Sequence, residues 1–181
     1  MNIETTTIGA YPKPEGTPIN DWFPKADDQE ARQANQGLLQ RWSITEYEES
    51  LEKAGDDAEQ QFLNSTREVI EDQVNAGVDI PTDGEVRREN YIYYQCRRIQ
   101  GIDFSTVTHK IVRSGAFEAD LPTITSAVSL RETGLERDYA AAQKFTQNPV
   151  KITLPGPMTI TDSIADGFYN DDRKLGQDLA A

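Results

Sequence analysis

One ordering constrains this chain more than any other. A short β-branched run ends in a polar turn bearing Gly or Pro, and helix-forming sequence separates one such run from the next. The pattern is clearest in the middle. From about Asp57 to Ala76, Phe62, Thr66, Val69, Ile70 and Val74 recur at intervals of three and four. That spacing gathers them on one face of a helix. Gly77 stands where a left-handed C-terminal residue belongs. Val78-Asp79-Ile80 then reads as a short strand running into Pro81-Thr82-Asp83-Gly84-Glu85. Residues 3–9 read as a short buried strand ending at Gly9, and Val150–Leu154 as a strand stopped by Pro155-Gly156-Pro157. Strands alternating with helices predict an α/β protein with a parallel sheet and right-handed crossovers. Doubly wound sheets and (β/α)8 barrels both place their sites on the polar turns after the strands, here near Gly9, Gly84 and Gly156.

The remaining sequence fills in around these runs. Residues 10–25 hold four prolines and form a loop. Residues 27–61 give helical pieces interrupted at Gly37 and Gly55, and the acidic stretch from Glu46 to Glu59 is a solvated face. Residues 86–100 predict a helix stopped by Gly101, with Cys96 on its apolar stripe as a small core residue. Residues 107–130 alternate apolar and polar and predict an inserted β-hairpin that carries His109. Helices are expected over 136–146, ended by Asn148-Pro149, and over 171–181. Met158 is expected to pack. The chain, 1–181, thus reads as a single domain. Its three strands fall short of a barrel's eight strands and roughly 250 residues.

Charge and residue supply exclude several function classes. Against 18 Lys and Arg stand 31 Asp and Glu, a net charge of -13. Such a surface repels phosphate backbones, so no nucleic-acid partner is expected. No apolar run approaches the roughly 20 residues that span a bilayer. The opening MNIETTTIGA lacks the basic and apolar stretches of a signal peptide. No membrane partner is expected, and a cytoplasmic location is. One Cys, Cys96, and one His, His109, rule out an internal disulfide and a thiolate-rich zinc site. The chain has no nucleophile elbow, no P-loop and no dinucleotide-binding glycine turn.

Three segments together carry a resemblance. They are Thr6-Thr7-Ile8-Gly9-Ala10-Tyr11-Pro12; Gly77-Val78-Asp79 with Asp83-Gly84-Glu85 and Arg88; and Pro149-Val150-Lys151 with Leu154-Pro155-Gly156-Pro157-Met158-Thr159-Ile160. In order and approximate spacing, they resemble the catalytic domain of cobalamin-independent methionine synthase. The resemblance covers roughly residues 5–165. It implies a partial TIM (β/α)8 barrel with about three parallel barrel strands plus the inserted hairpin. It also implies a methyltransferase that moves a methyl group from methyltetrahydrofolate to homocysteine, whose thiol is activated on zinc.

By the same resemblance, Ile8, Gly9, Ala10 and Glu85 frame the amino-acid part of a small-molecule thiol substrate. A carboxylate at Glu85 suits an ammonium, and a glycine at position 9 lets a substrate carboxylate approach backbone N–H groups. Asp83, Arg88 and Asn90 are candidate supporting residues, with Arg88 best read as a salt-bridge partner. The family's zinc ligands, a His-x-Cys pair, a Glu and a later Cys, lie downstream of the matched region. Zinc is therefore implied for the complete family member. No metal ligand, no catalytic residue and no turnover are expected of this chain alone. Ala10 stands where the family has Ser, Asp83 where it has His, and Ser163 near its pterin-holding aromatic. These departures leave two alternatives open. One is a relative that transfers another alkyl group to another thiol. The other is a non-catalytic protein forming a homodimer over the open barrel edge.

Overall fold

The computed structural model describes residues 3–20, 38–112 and 117–181. The element order is α1 (Leu38–Ala54), a 3-10 turn (Gly55–Asp57), α2 (Ala58–Asn75), α3 (Tyr93–Cys96), β1 (Ile99–Val112), β2 (Phe117–Leu130), α4 (Leu135–Gln143), α5 (Pro157–Ser163), β3 (Ala165–Asp166) and α6 (Asp172–Ala180). The chain forms two compact units. The first holds Met1–Asp21, Glu48–Arg88 and Thr133–Thr153, and the second Trp22–Tyr47, Glu89–Glu132 and Leu154–Ala181. Residues 21–25 of the Pro-rich loop and Gly37 lie outside the described residues.

In the first unit α2 forms where the periodicity places it. Phe62, Thr66, Val69 and Ile70 are buried, and α2 packs against α4. Gly77 follows with a φ of 83°, the expected left-handed exit. Three extended segments then lie side by side in parallel. Ile80 N donates to Thr5 O at 3.0 Å, and Lys151 N donates to Pro81 O at 2.9 Å. Thr6 is bridged to Ile80 and Thr82 to Lys151, so the segments run first, second, third across the unit.

These segments are briefer than the sequence implies: each pairs through single bridges rather than a ladder. Side chains take over the backbone groups that a ladder would satisfy. Gln73 on α2 accepts from Thr82 N at 2.9 Å and donates to Thr82 O at 2.9 Å, acting as a neighbouring strand would. Asp79 accepts from Thr5 N at 2.8 Å. The first segment is also not buried: Ile3 is 84% exposed and Ile8 94%. Thr7 is the residue that turns to the helix, donating to Gln73 Oε1 at 2.7 Å. The strand period of two leaves Ile8 on the opposite side.

In the second unit β1 and β2 pair antiparallel, from Ile99 opposite Leu130 to Val112 opposite Phe117. The short β3 adds parallel to β2 at Thr123 and Ile124. The hairpin therefore starts at Ile99, earlier than the expected 107. Gly101 does not stop a helix. It sits inside β1 at φ 90°, where a Cβ would meet the Ser126 and Ala127 carbonyl oxygens at 2.7 Å. The register shifts between Gln100 and Ile102, the kind of irregularity that glycine permits.

The expected helix over 86–100 shrinks to α3. Asn90 is the reason: its side-chain oxygen accepts from Ile92 N at 2.8 Å and Tyr93 N at 3.2 Å, a cap that starts a new turn in mid-segment. Helix α5 has no counterpart in the sequence reading. Pro157, which ends the third extended run, also opens this helix, where its missing N–H costs nothing. Met158 does not pack; it is 85% exposed. Helix α6 is capped by Asp171, which accepts from Arg173 N and Lys174 N. The core of this unit gathers Ile92, Tyr93, Cys96, Ile102, Ile124, Val128, Ile160, Ile164 and Leu175, with Cys96 fully buried as expected. Among the described residues no helix is long and apolar enough to cross a membrane.

Candidate functional site

The polar turns after the three parallel segments of the first unit converge on one carboxylate. Thr82, last of the second segment, donates its hydroxyl to Gly9 O at 2.7 Å and accepts from Gly84 N at 3.2 Å. Tyr11 N donates to Gly84 O at 3.0 Å. The first and second turns are thus tied through Gly9, Thr82 and Gly84. Gly84 and then Glu85 both adopt left-handed backbone, with φ of 66° and 55°. Glu85 is one of two described residues other than glycine with positive φ, and such strain persists only where surroundings over-determine it. Here Asp83 Oδ1 accepts from Glu85 N at 3.3 Å, and Glu85 O accepts from Arg88 N at 2.9 Å.

The Glu85 carboxylate is held from the third segment. Thr153 Oγ1 donates to Glu85 Oε1 at 2.6 Å. Gly9 packs directly against the same oxygen; a Cβ there would lie 2.7 Å from Glu85 Oε1 and 3.1 Å from Thr153 Cγ2. Glycine at position 9 is therefore required by close approach, not by a special φ.

Arg88 closes the arrangement from beneath. Its side chain is wholly buried; Nη2 donates to Asp83 Oδ2 at 2.9 Å, and Nη1 donates to Thr153 O at 2.8 Å and Thr153 Oγ1 at 3.0 Å. Nη1 also lies 3.7 Å from Glu85 Oε1. Burial raises the Asp83 carboxyl above its ordinary value, against the opposing pull of the Arg88 guanidinium. Arg87 turns elsewhere, pairing with Glu59 at 2.7 Å and approaching Asp138 at 3.7 Å.

Of the residues expected to frame an amino-acid pocket, the structure brings Gly9 and Glu85 into contact. Ala10 follows Gly9 with its methyl exposed, and the Ile8 side chain faces solvent. Asp83 and Arg88 form the buried support. Asn90 does not join them: it belongs to the second unit, where it caps α3. Thr153 was not among the residues expected there. It carries no motif of its own; the one local signal is a hydroxyl just before the Leu-Pro-Gly stop of a strand.

The donor set does not fit zinc. Among the described residues no group of three His, Cys, Asp or Glu is placed to hold a metal ion. The Cys96 thiol is buried in the core, and that burial pushes it up to about 12, far from the thiolate that zinc requires. His109 lies on the exposed hairpin with Asp120 and Glu118 each at 3.3 Å across the strands.

A family model described as the catalytic domain of cobalamin-independent synthase matches residues 3–180. The methionine synthase of Saccharolobus solfataricus is 32% identical over 185 residues, covering 98% of this chain and 46% of that protein. That of Sulfolobus acidocaldarius is 28% identical, with 98% of this chain and 45% of the relative covered. The structure of a B12-independent methionine synthase from Shewanella sp. W3-18-1, solved in complex with selenomethionine, superposes with a TM-score of 0.75. It shares 28% identity, over 97% of this chain and 44% of that one. The chain spans about half the length of the curated relatives it matches. The chain thus matches part of a TIM (β/α)8 barrel. With residues 3–180 of its 181 matched by that family model, the chain belongs to the cobalamin-independent synthase catalytic-domain family.

Proposed function

We propose that this chain supplies the amino-acid clamp of a thiol methyltransferase of the cobalamin-independent methionine synthase type, which moves a methyl group from methyltetrahydrofolate to homocysteine. One observation carries the reading: a buried glutamate in left-handed backbone, its carboxylate fixed by Thr153 and pressed against the backbone of Gly9. Glu85 receives the ammonium of the substrate. Backbone N–H groups at Gly9 and Ala10 receive its carboxylate, while Tyr11 N is already committed to Gly84 O. The small side chains at positions 9 and 10 keep that approach open. The selenomethionine bound by the Shewanella relative is an amino acid of the class this clamp would take.

The clamp is tested by titrating the 181-residue chain with L-methionine and with its deaminated analogue, 4-(methylsulfanyl)butanoate. Glu85→Gln should weaken methionine binding about 10- to 100-fold, the range for losing a hydrogen bond to a charged group. Binding of the analogue, which has no ammonium, should stay unchanged. Equal methionine affinity in both proteins sinks the assignment.

Thiol activation is not assigned to this chain, because its described residues offer no fitting ligand set. We accordingly expect no methyl transfer to homocysteine by the purified chain alone. Formation of labelled methionine from labelled methyltetrahydrofolate, above a no-protein control, would overturn that expectation.

A further inference from the structure

The geometry points to Thr153 as the positioning residue that fixes which oxygen of Glu85 faces the ligand and keeps that carboxylate an acceptor. The inference rests on the clamp reading above and deepens it. Thr153 ends the third parallel segment, two residues after the bridge from Lys151 to Thr82. Its hydroxyl stands between two groups of fixed polarity. A guanidinium only donates, so Arg88 Nη1, 3.0 Å away, can approach the hydroxyl only as a donor. The Thr153 oxygen must accept there. Its single proton is then directed to Glu85 Oε1, 2.6 Å away.

Polarity therefore runs one way, from Arg88 through Thr153 to Glu85. That direction has two consequences. Glu85 Oε1 must present a lone pair to the Thr153 hydroxyl, which fixes the rotation of the carboxylate. With Oε1 bonded to Thr153 and covered by Gly9, Oε2 is the oxygen that meets the ligand. Arg88 is itself immobile, since Asp83 Oδ2 and the Thr153 carbonyl hold its two terminal nitrogens. The Thr153 methyl completes the fit, because Cγ2 lies where Gly9 leaves no room for a Cβ. Valine keeps this shape and deletes only the relay.

The test compares Thr153→Val, Thr153→Ser and Glu85→Gln, titrating each 181-residue variant with L-methionine and with 4-(methylsulfanyl)butanoate. Thr153→Val should lower methionine affinity about tenfold and leave the deaminated analogue unmoved. Thr153→Ser, which keeps the hydroxyl, should restore methionine binding to within about twofold. Thr153→Val added to Glu85→Gln should cost nothing further, because the charge whose orientation Thr153 sets is already gone. Equal losses for both ligands would show that Thr153 merely supports the fold and would overturn the inference. So would full methionine affinity in Thr153→Val while Glu85→Gln is weakened, a result that leaves the clamp standing. Unchanged affinity in Glu85→Gln removes the clamp and the relay together. Should the valine variant fail to fold, Thr153→Ala serves as the second deletion of the hydroxyl, read against Thr153→Ser by the same two ligands.

Discussion

Replacing Arg88 by alanine should cost about 3–5 kcal/mol of folding stability, the range for breaking a buried ion pair from one side. The loss is large because of what remains. Asp83 is buried, and its Oδ2 loses the guanidinium at 2.9 Å. The Thr153 carbonyl loses its donor at 2.8 Å, and Glu85 loses a cation at 3.7 Å. Against a typical domain stability of about 5–15 kcal/mol, the variant approaches the unfolding limit. Urea denaturation followed by circular dichroism reads the change.

A pH series gives the cause. Burial already raises the Asp83 carboxyl in the native protein. For a group whose folded value is raised, the fold favours the protonated form, and stability is lost as pH rises through that value. Deleting Arg88 removes the opposing cation and strengthens this effect. Arg88→Ala should therefore fall further behind Arg88→Ala/Asp83→Asn as pH rises, and the two should converge in acid where the carboxyl is neutral. A gap that stays constant with pH would show that Asp83 is not the stranded charge.

The second large effect is expected at Gly84. Alanine there meets two penalties at once. The backbone sits at φ 66°, and a Cβ would lie 2.4 Å from Val69 Cγ1 and 3.1 Å from Tyr11 Cβ. Left-handed backbone costs a residue with a Cβ about 1–2 kcal/mol. Forcing a methyl into packed surroundings adds about 1–3 kcal/mol, since Val69 on α2 cannot simply swing away. We expect a total near 3 kcal/mol by urea denaturation. Gly77 provides the control within the same protein. Its φ is 83°, but a Cβ there would meet nothing within 4 Å. Gly77→Ala should show the backbone penalty alone. If the two alanine variants lose equal stability, the contact with Val69 is not the source.

Much of the site was legible before the fold. The turn Asp83-Gly84-Glu85 with Arg88, and the Ile8-Gly9-Ala10 turn, stand out as polar, Gly-bearing strand ends that carry the family resemblance. The structure adds what the strings do not say: a left-handed glycine at 84, and the Glu85 and Thr153 side chains pressed against Gly9. Helix α2 was equally plain, because one face of a helix repeats every three to four residues and Gly77 marks its end. Elements that depend on side chains capping or replacing backbone partners were harder. Asn90 reads as one polar residue in a helical stretch, yet its carboxamide restarts the chain there. Pro157 reads as a stop, yet the same locked ring starts α5. Met158 reads as packing in a motif and stands in solvent.

The sequence by itself determined the alternation of short strands with helices, the left-handed exit at Gly77 and the family. Each of these rests on neighbours within a few residues, where periodicity, caps and allowed backbone angles act. Only the tertiary structure decided how the carboxylate is held. Glu85 and Thr153 lie 68 positions apart, Arg88 and Thr153 65, and Thr7 and Gln73 66. Whether such groups meet depends on how parallel segments align, and no local pattern encodes that alignment. The same holds for burial. An arginine among acids reads as a salt-bridge partner, and it becomes the centre of a buried polar network only when packing removes water from around it.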